Sequence, residues 1–244
     1  MRPVELERLE WGTGDRQMLI VHGLGSNAAG WWRVGPALAE AGFHVTAVDL
    51  RGHGESARPG DYNMHGYAAD LLALGDHWEA VLGHSLGGSA VIQAIMERPD
   101  WADSVILEDP LLIILDQELA VEYVTADIGS ETTVEVMAAN NPTWHPEDAR
   151  IKVEAQLQAG REVLEKSIVH NPGWNVVGAV AGLVVPTLLL GADPGLEPLV
   201  PPALGNSLAD MNPRIEFHTL SGASHSMHRD EFDAFMSLVL GFLD

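Results

Sequence analysis

Short apolar runs recur along this chain, each ending on glycine or a polar residue, and between them apolar residues fall at three- and four-residue steps. Residues 4–11 read as an opening strand, with a turn at Gly12-Thr13-Gly14-Asp15. Residues 18–21 end at His22-Gly23, Phe43–Val48 ends at Asp49, and 80–82 runs into Gly83. Residues 105–107 end at Glu108-Asp109, 184–190 end at Gly191-Ala192-Asp193, and 215–220 precede Ser221-Gly222. Strands that are apolar throughout, separated by helical patterns, predict a mostly parallel, doubly wound α/β sheet covered on both faces. The clearest helix is the last. Phe232, Phe235, Met236, Val239, Leu240 and Leu243 share one face, and Asp230 and Glu231 suit the positive end of its dipole.

Residues 110–182 break the alternation. They read as several helices, with turns near Asn140-Asn141-Pro142 and Asn171-Pro172-Gly173. This segment is expected to be an inserted helical lid. It divides the chain into a core (1–109), the insertion (110–182) and the remainder of the core (183–244). No internal repeat or low-complexity segment occurs.

In doubly wound sheets, ligands bind beyond the carboxyl ends of the strands, so the chemistry should sit where these strands stop. The most specific segment there is Gly83-His84-Ser85-Leu86-Gly87-Gly88, between the apolar run 78–82 and the helical run 90–96. Strand, Gly-x-Ser-x-Gly, helix is the layout of a nucleophile elbow. The turn is so tight that side chains at its flanks would clash, and glycine has no Cβ to clash with. The strained turn lifts a hydroxyl above the sheet and aims the new helix's N–H groups at the reacting atom.

Composition narrows the possibilities. With 244 residues, 46% of them hydrophobic, the chain can bury one sizeable core. Thirteen basic and 35 acidic residues give a formal charge of −22. That repels phosphate backbones and anionic membranes, so nucleic-acid and membrane partners are not expected, and a homo-oligomer stays open. The absence of cysteine excludes disulfides, thiolate metal sites and a cysteine nucleophile. The segment Met1-Arg2-Pro3-Val4-Glu5-Leu6-Glu7-Arg8 has no signal-peptide core, and no run approaches the roughly 20 apolar residues of a membrane span. A cytoplasmic protein is the expectation.

Four segments carry a family resemblance: His22-Gly23-Leu24-Gly25, Asp49-Leu50-Arg51-Gly52-His53-Gly54-Glu55-Ser56, the Ser85 segment, and Gly222-Ala223-Ser224-His225. In these the chain resembles a compact, lid-bearing α/β-hydrolase. The resemblance implies that Ser85 attacks a carbonyl carbon and that His225 takes its proton and returns it to the leaving group. It implies an oxyanion hole made by the N–H groups of Leu24 and Leu86. His22 is expected to support its loop by hydrogen bonding, residues 49–56 to form a structural turn, and His228 to lie on a helix surface.

The acid that orients His225 has two candidates. Many similar proteins place it after the strand 184–190, where this chain offers Asp193 in poor register. Another branch, including haloalkane dehalogenases and some lactonases, places it nine residues after a Pro-Asp pair. Pro99-Asp100 points in that way to Asp109, ahead of Asp193. Proline at 110 would hold the carboxylate inward, and Glu108 should face the other way. A serine nucleophile excludes the dehalogenation and epoxide opening that such proteins carry out with a carboxylate.

The resemblance therefore implies hydrolysis of a small, largely apolar carboxylic ester or lactone through an acyl-serine intermediate. Carbon–carbon cleavage of a vinylogous diketone and a slow-turnover receptor are the alternatives. Substrate contacts are expected from Trp31 and Trp32 beside the entrance and from Leu111, Tyr123, Met137, Trp144 and Trp174 in the insertion. No cofactor and no metal are expected.

Overall fold

The computed structural model describes residues 2–126 and 133–244. The described residues form a seven-stranded sheet: β1 (Arg8–Trp11), β2 (Arg16–Val21), β3 (Phe43–Val48), β4 (Trp78–His84), β5 (Ala102–Glu108), β6 (Thr187–Gly191) and β7 (Ile215–Thr219). Its spatial order is β1-β3-β2-β4-β5-β6-β7. Only β1 runs antiparallel to its neighbour. The helices are α1 (Val34–Glu40), α2 (Met64–Leu72), α3 (Leu86–Glu97), α4 (Gln117–Thr125), α5 (Val134–Asn140), α6 (Pro146–Val169), α7 (Val177–Ala181), α8 (Pro202–Met211), α9 (Met227–Asp230) and α10 (Phe232–Leu243).

Alternate side chains of the central strands enter two separate cores, because successive Cβ atoms point to opposite faces of a sheet. Leu19, Val21, Val81, Val105, Leu107 and Leu189 pack with α2, α3 and α7. Met18, Ile20, Leu82, Ile106, Leu188 and Leu190 pack with α1 and α10. Burial on both faces explains why these strands carry no polar alternation.

Two strands are shorter than the sequence predicts. Residues 4–7 precede β1 rather than join it. There the Val4 N–H donates to Asp70 Oδ1 and the Glu7 N–H to Ser56 Oγ, so side chains take the place of a neighbouring strand. β6 starts at Thr187, after Pro186, which has no N–H to give a ladder. The last helix begins at Phe232, and the short α9 precedes it.

Helices α4 to α7 fill the interval between β5 and β6, with 127–132 outside the described residues. The two ends of the insertion are tied together: the Ile114 N–H donates to Trp174 O at 2.9 Å and the Val176 N–H to Leu112 O at 2.8 Å. Helix α6 is broken at Gly160, where φ is +73°. Its first half meets the loop after β2, where Lys152 Nζ donates to the carbonyls of Leu24 and Gly25 at 3.3 and 2.9 Å.

Candidate active site

Ser85 stands between β4 and α3 with φ +52° and ψ −118°, a conformation that L-residues rarely adopt. The surrounding backbone enforces it. A Cβ on Gly83 would lie 2.7 Å from the Gly88 Cα, and one on Gly87 would lie 2.5 Å from the carbonyl oxygens of Val21 and His22. Strand and helix can close on each other only without those side chains. The Ser85 N–H donates to Glu108 O at 3.0 Å, and Ser85 O accepts from the Leu111 N–H. Its hydroxyl makes no hydrogen bond among the described residues, as is common before a substrate tightens such contacts.

His225 follows β7 in the loop before α9. Its Nδ1 is 2.7 Å from Asp109 Oδ2, with the carboxylate fully buried and the imidazole 38% exposed. Asp109 directly follows β5, with φ +37°, and so turns away from the path of the strand. Its carboxylate also accepts the N–H groups of Leu199 and Val200, at 3.1 and 2.9 Å. The segment ahead of α8 thereby becomes part of the site, although nothing in its sequence marks it. Asp193 is half-buried and makes no contact with the His225 ring among the described residues: it accepts the N–H groups of Gly222, in the loop that leads to His225, and of Gly195, which lower its pKa.

His84 links the two sides. Its Nε2 donates to the His225 carbonyl at 2.9 Å, and the two rings are 4.6 Å apart. Burial, then the proximity of His225, His228 and Arg229, pushes the His84 pKa well below its usual value, so the ring is neutral. The loop after β2 is equally close, since a Cβ on Gly23 would lie 2.9 Å from the Ser85 Cβ. The Leu24 N–H has no acceptor among the described residues. Leu86 opens α3 and has no helical carbonyl one turn back. Leu24 follows Gly23, which closes on the Ser85 Cβ, and Leu86 follows Ser85 directly.

The loop after β2 is held from behind by the 49–56 turn. Asp49 accepts the N–H groups of Ala28 at 2.7 Å and Glu55 at 2.9 Å. His53 Nε2 accepts from the Gly25 N–H, and His22 Nε2 accepts from the Leu50 N–H. The other ring nitrogens, Nδ1 in each case, then donate to the carbonyls of Arg51 and Gly23. Those roles require neutral rings, and burial lowers the pKa values of His22 and His53 to about 4 and about 3. The turn is anchored in turn by a fully buried pair, in which Arg51 grips Asp70 with two bonds of 2.6 and 2.7 Å.

A family model described as the alpha/beta hydrolase family matches residues 18–238. The chain belongs to the α/β-hydrolase family. Over 119 residues it is 35% identical to an uncharacterised protein of Mycobacterium tuberculosis, a match covering 47% of this chain and 35% of that one. The chain thus spans about a third of the length of the first curated relatives it matches. It is 27% identical to the pimeloyl-[acyl-carrier protein] methyl ester esterase of Vibrio atlanticus, over 92% of this chain and 93% of that one. Among solved structures, the enol-lactonase of Burkholderia xenovorans superposes with a TM-score of 0.81 at 22% identity, covering 98% and 96% of the two chains. E-2-(acetamidomethylene)succinate hydrolase superposes at 0.82 and 23%, covering 99% and 96%. At such identities these structures show the shared fold.

Several residues expected at this α/β-hydrolase site lie elsewhere. Trp31 is core: it is 1% exposed and packs on the His228 ring at 4.5 Å. Tyr123 is 80% exposed on α4. Trp174 donates its indole N–H to Leu111 O and lines a cleft of about 670 Å³ that includes neither Ser85 nor His225. Met137 is half-buried on α5, whereas Leu111, also half-buried, does adjoin the site through its N–H on Ser85 O. Trp32 and Trp144 each join the insertion to the core. Trp32 donates to Asp148 Oδ1 on α6, and Arg229 stacks on Trp144 at 4.7 Å.

His228 is not on a helix surface. It is 4% exposed, and both its N–H and its Nδ1 contact Glu108, at 3.0 and 2.8 Å. Three-residue spacing from His225 gave no hint that it turns inward. His84, Glu108 and His228 bring their ligand-type atoms within 4.8 Å of one another, a grouping the sequence did not reveal. Each is already engaged, Glu108 with both oxygens on His228 and His84 with Nε2 on the His225 carbonyl. No helix among the described residues is long and apolar enough to cross a membrane.

Proposed function

We propose that this α/β-hydrolase is a serine hydrolase cleaving a carboxylic ester or lactone of a small, largely apolar substrate. The observation that carries the reading is the 2.7 Å contact between His225 Nδ1 and the buried Asp109 carboxylate, joined through His84 to the strained Ser85 turn. Asp109 fixes the imidazole with Nδ1 protonated, which leaves Nε2 as the base for the Ser85 hydroxyl. The serine oxygen attacks the carbonyl carbon, and its proton passes to Nε2. Oxyanion charge develops beside the N–H groups of Leu24 and Leu86, which are fixed before reaction and so need no reorganisation. Protonated His225 gives the proton to the leaving alkoxide, and the acyl-serine is then hydrolysed by water activated at the same nitrogen.

Helices α4 to α7 act as the lid, with Trp32 and Trp144 at the boundary between lid and core. An apolar acyl group suits the mixture of indole and aliphatic side chains there. The names of similar proteins, an ester esterase and an enol-lactonase, support the same bond class. The reading is tested with a fluorophosphonate probe mapped by peptide mass spectrometry, alongside turnover of p-nitrophenyl esters. Modification of Ser85, and loss of both labelling and turnover in Ser85→Ala with an unchanged melting temperature, is the expected result. A wild-type protein that neither labels nor turns over any ester, lactone or vinylogous diketone is no hydrolase of this kind.

A further inference from the structure

Two neighbouring carboxylates each hold one of two histidines three residues apart. Asp109 holds His225, and Glu108, the last residue of β5, holds His228 at the start of α9. The left-handed backbone at Asp109 lets adjacent side chains serve separate partners. We propose that the Glu108–His228 pair is a second carboxylate–imidazole couple whose role is to position His225 over Ser85. The proposal rests on the hydrolase reading above.

The contacts define what the pair controls. Glu108 receives both the backbone N–H and the ring Nδ1 of His228, so it fixes the main chain as well as the side chain of that residue. One turn of α9 connects this anchor to the His225 loop. At the end of α9, Asp230 Oδ2 accepts from the N–H and hydroxyl of Ser224, closing the loop on itself. His84 Nε2 pins the His225 carbonyl. With Nδ1 on Asp109, the imidazole can move only as this clamped segment moves.

The His228 ring is itself wedged, with Trp31 at 4.5 Å, His84 at 5.3 Å and Phe235 at 6.2 Å. Glu108 is fully buried and His228 nearly so. Apolar residues of matching size can replace a buried ionisable pair with little loss of stability. Stability alone therefore does not account for the pair, whereas the directional bonds it gives the His225 segment do. Glu108 and His228 are positioning residues, as neither touches the reacting atoms.

The test replaces both groups at once, Glu108→Met with His228→Leu, so that no charged group is left buried without its partner. Kinetics on p-nitrophenyl butyrate should show kcat falling by about 10- to 100-fold, as for other residues that orient a catalytic group through its neighbours. KM and melting temperature should change little. His228→Asn, whose Nδ2 can donate from nearly the place of Nδ1, should recover most of kcat. The strongly downfield proton of the His225–Asp109 bond, observed by ¹H NMR, should weaken or vanish in the double variant and persist in His228→Asn. Should the double variant fail to fold, Glu108→Gln keeps the size and loses one acceptor oxygen, and its kcat should drop with KM retained. A folded double variant, or Glu108→Gln, with wild-type kcat and an intact downfield proton overturns the proposal, as does a loss confined to KM. The NMR arm needs no turnover, so it reports on the clamp even if fluorophosphonate labelling refutes the hydrolase reading.

Discussion

At the residue scale, the two acid candidates make opposite predictions. Asp109 is buried, accepts two backbone N–H groups and meets His225 Nδ1, whereas Asp193 is half-buried and accepts the N–H groups of Gly195 and of Gly222, in the loop that leads to His225. Asp109→Asn preserves the shape but presents an amide to the imidazole and no longer favours the tautomer with Nδ1 protonated. In a serine–histidine–aspartate site that change lowers kcat by about 10⁴-fold. Ester turnover should fall on that order for Asp109→Asn and far less for Asp193→Asn, whose remaining amide oxygen can still accept the Gly222 N–H. Equal losses in the two variants would place the acid after β6. The glycines around it singled out Ser85 in the sequence, whereas Asp109 was expected ahead of Asp193 only through the resemblance, nine residues after Pro99-Asp100. The partnership of Glu108 with His228 was not legible, because it joins positions 120 residues apart that carry no signature of their own. Trp31 shows the same limit: an indole next to a loop can fill core or line an entrance, and only packing decides.

At the scale of elements, the junction of β4 with α3 is the most constrained piece of the fold. Gly83→Ala would put a methyl 2.7 Å from the Gly88 Cα, against backbone on a rigid helix. Forced separation of this kind costs about 1–3 kcal/mol. Gly241 gives the contrast. It is exposed inside α10 with nothing within 4 Å of its would-be Cβ, so alanine there should stabilise the chain by up to about 1 kcal/mol through helix propensity. Urea unfolding of both variants checks the signs. Gly83→Ala should also lose turnover, and a Gly83→Ala protein as stable and active as wild type would mean that the elbow is not tight. Sequence periodicity located the strands well where both faces are buried. It failed at the edges: β1 lost its first half to side-chain acceptors, and the kink at Gly160 within α6 was invisible because glycine in a helical pattern does not say whether it will bend.

At the scale of the whole molecule, acid should weaken the fold well before its carboxylates titrate. His22 and His53 are buried as neutral rings with pKa values of about 4 and about 3, against a usual 6.5. Between those limits the unfolded chain binds protons that the folded chain refuses, so stability rises with pH there. Their contribution is complete above about pH 6.5 and is lost as pH falls toward the folded values. Each group can supply a slope of at most about 1.4 kcal/mol per pH unit. Their rings are 5.1 Å apart, so the two do not add independently. The window from pH 7.5 to 5 reports on the buried neutral imidazoles, with His84 adding to His22 and His53 in the same direction, because most of the 35 acidic groups stay ionised there and the self-repulsion of the −22 chain changes little. Urea midpoints should fall across that window. His53→Gln, which can still accept the Gly25 N–H but takes up no proton, should flatten the dependence while lowering stability at pH 7.5 only modestly. A midpoint constant from pH 7.5 to 5 in the wild type would mean that the rings bracing the loop after β2 are not held neutral. The neutral braces, and with them the free Leu24 N–H beside Ser85, would then need another explanation.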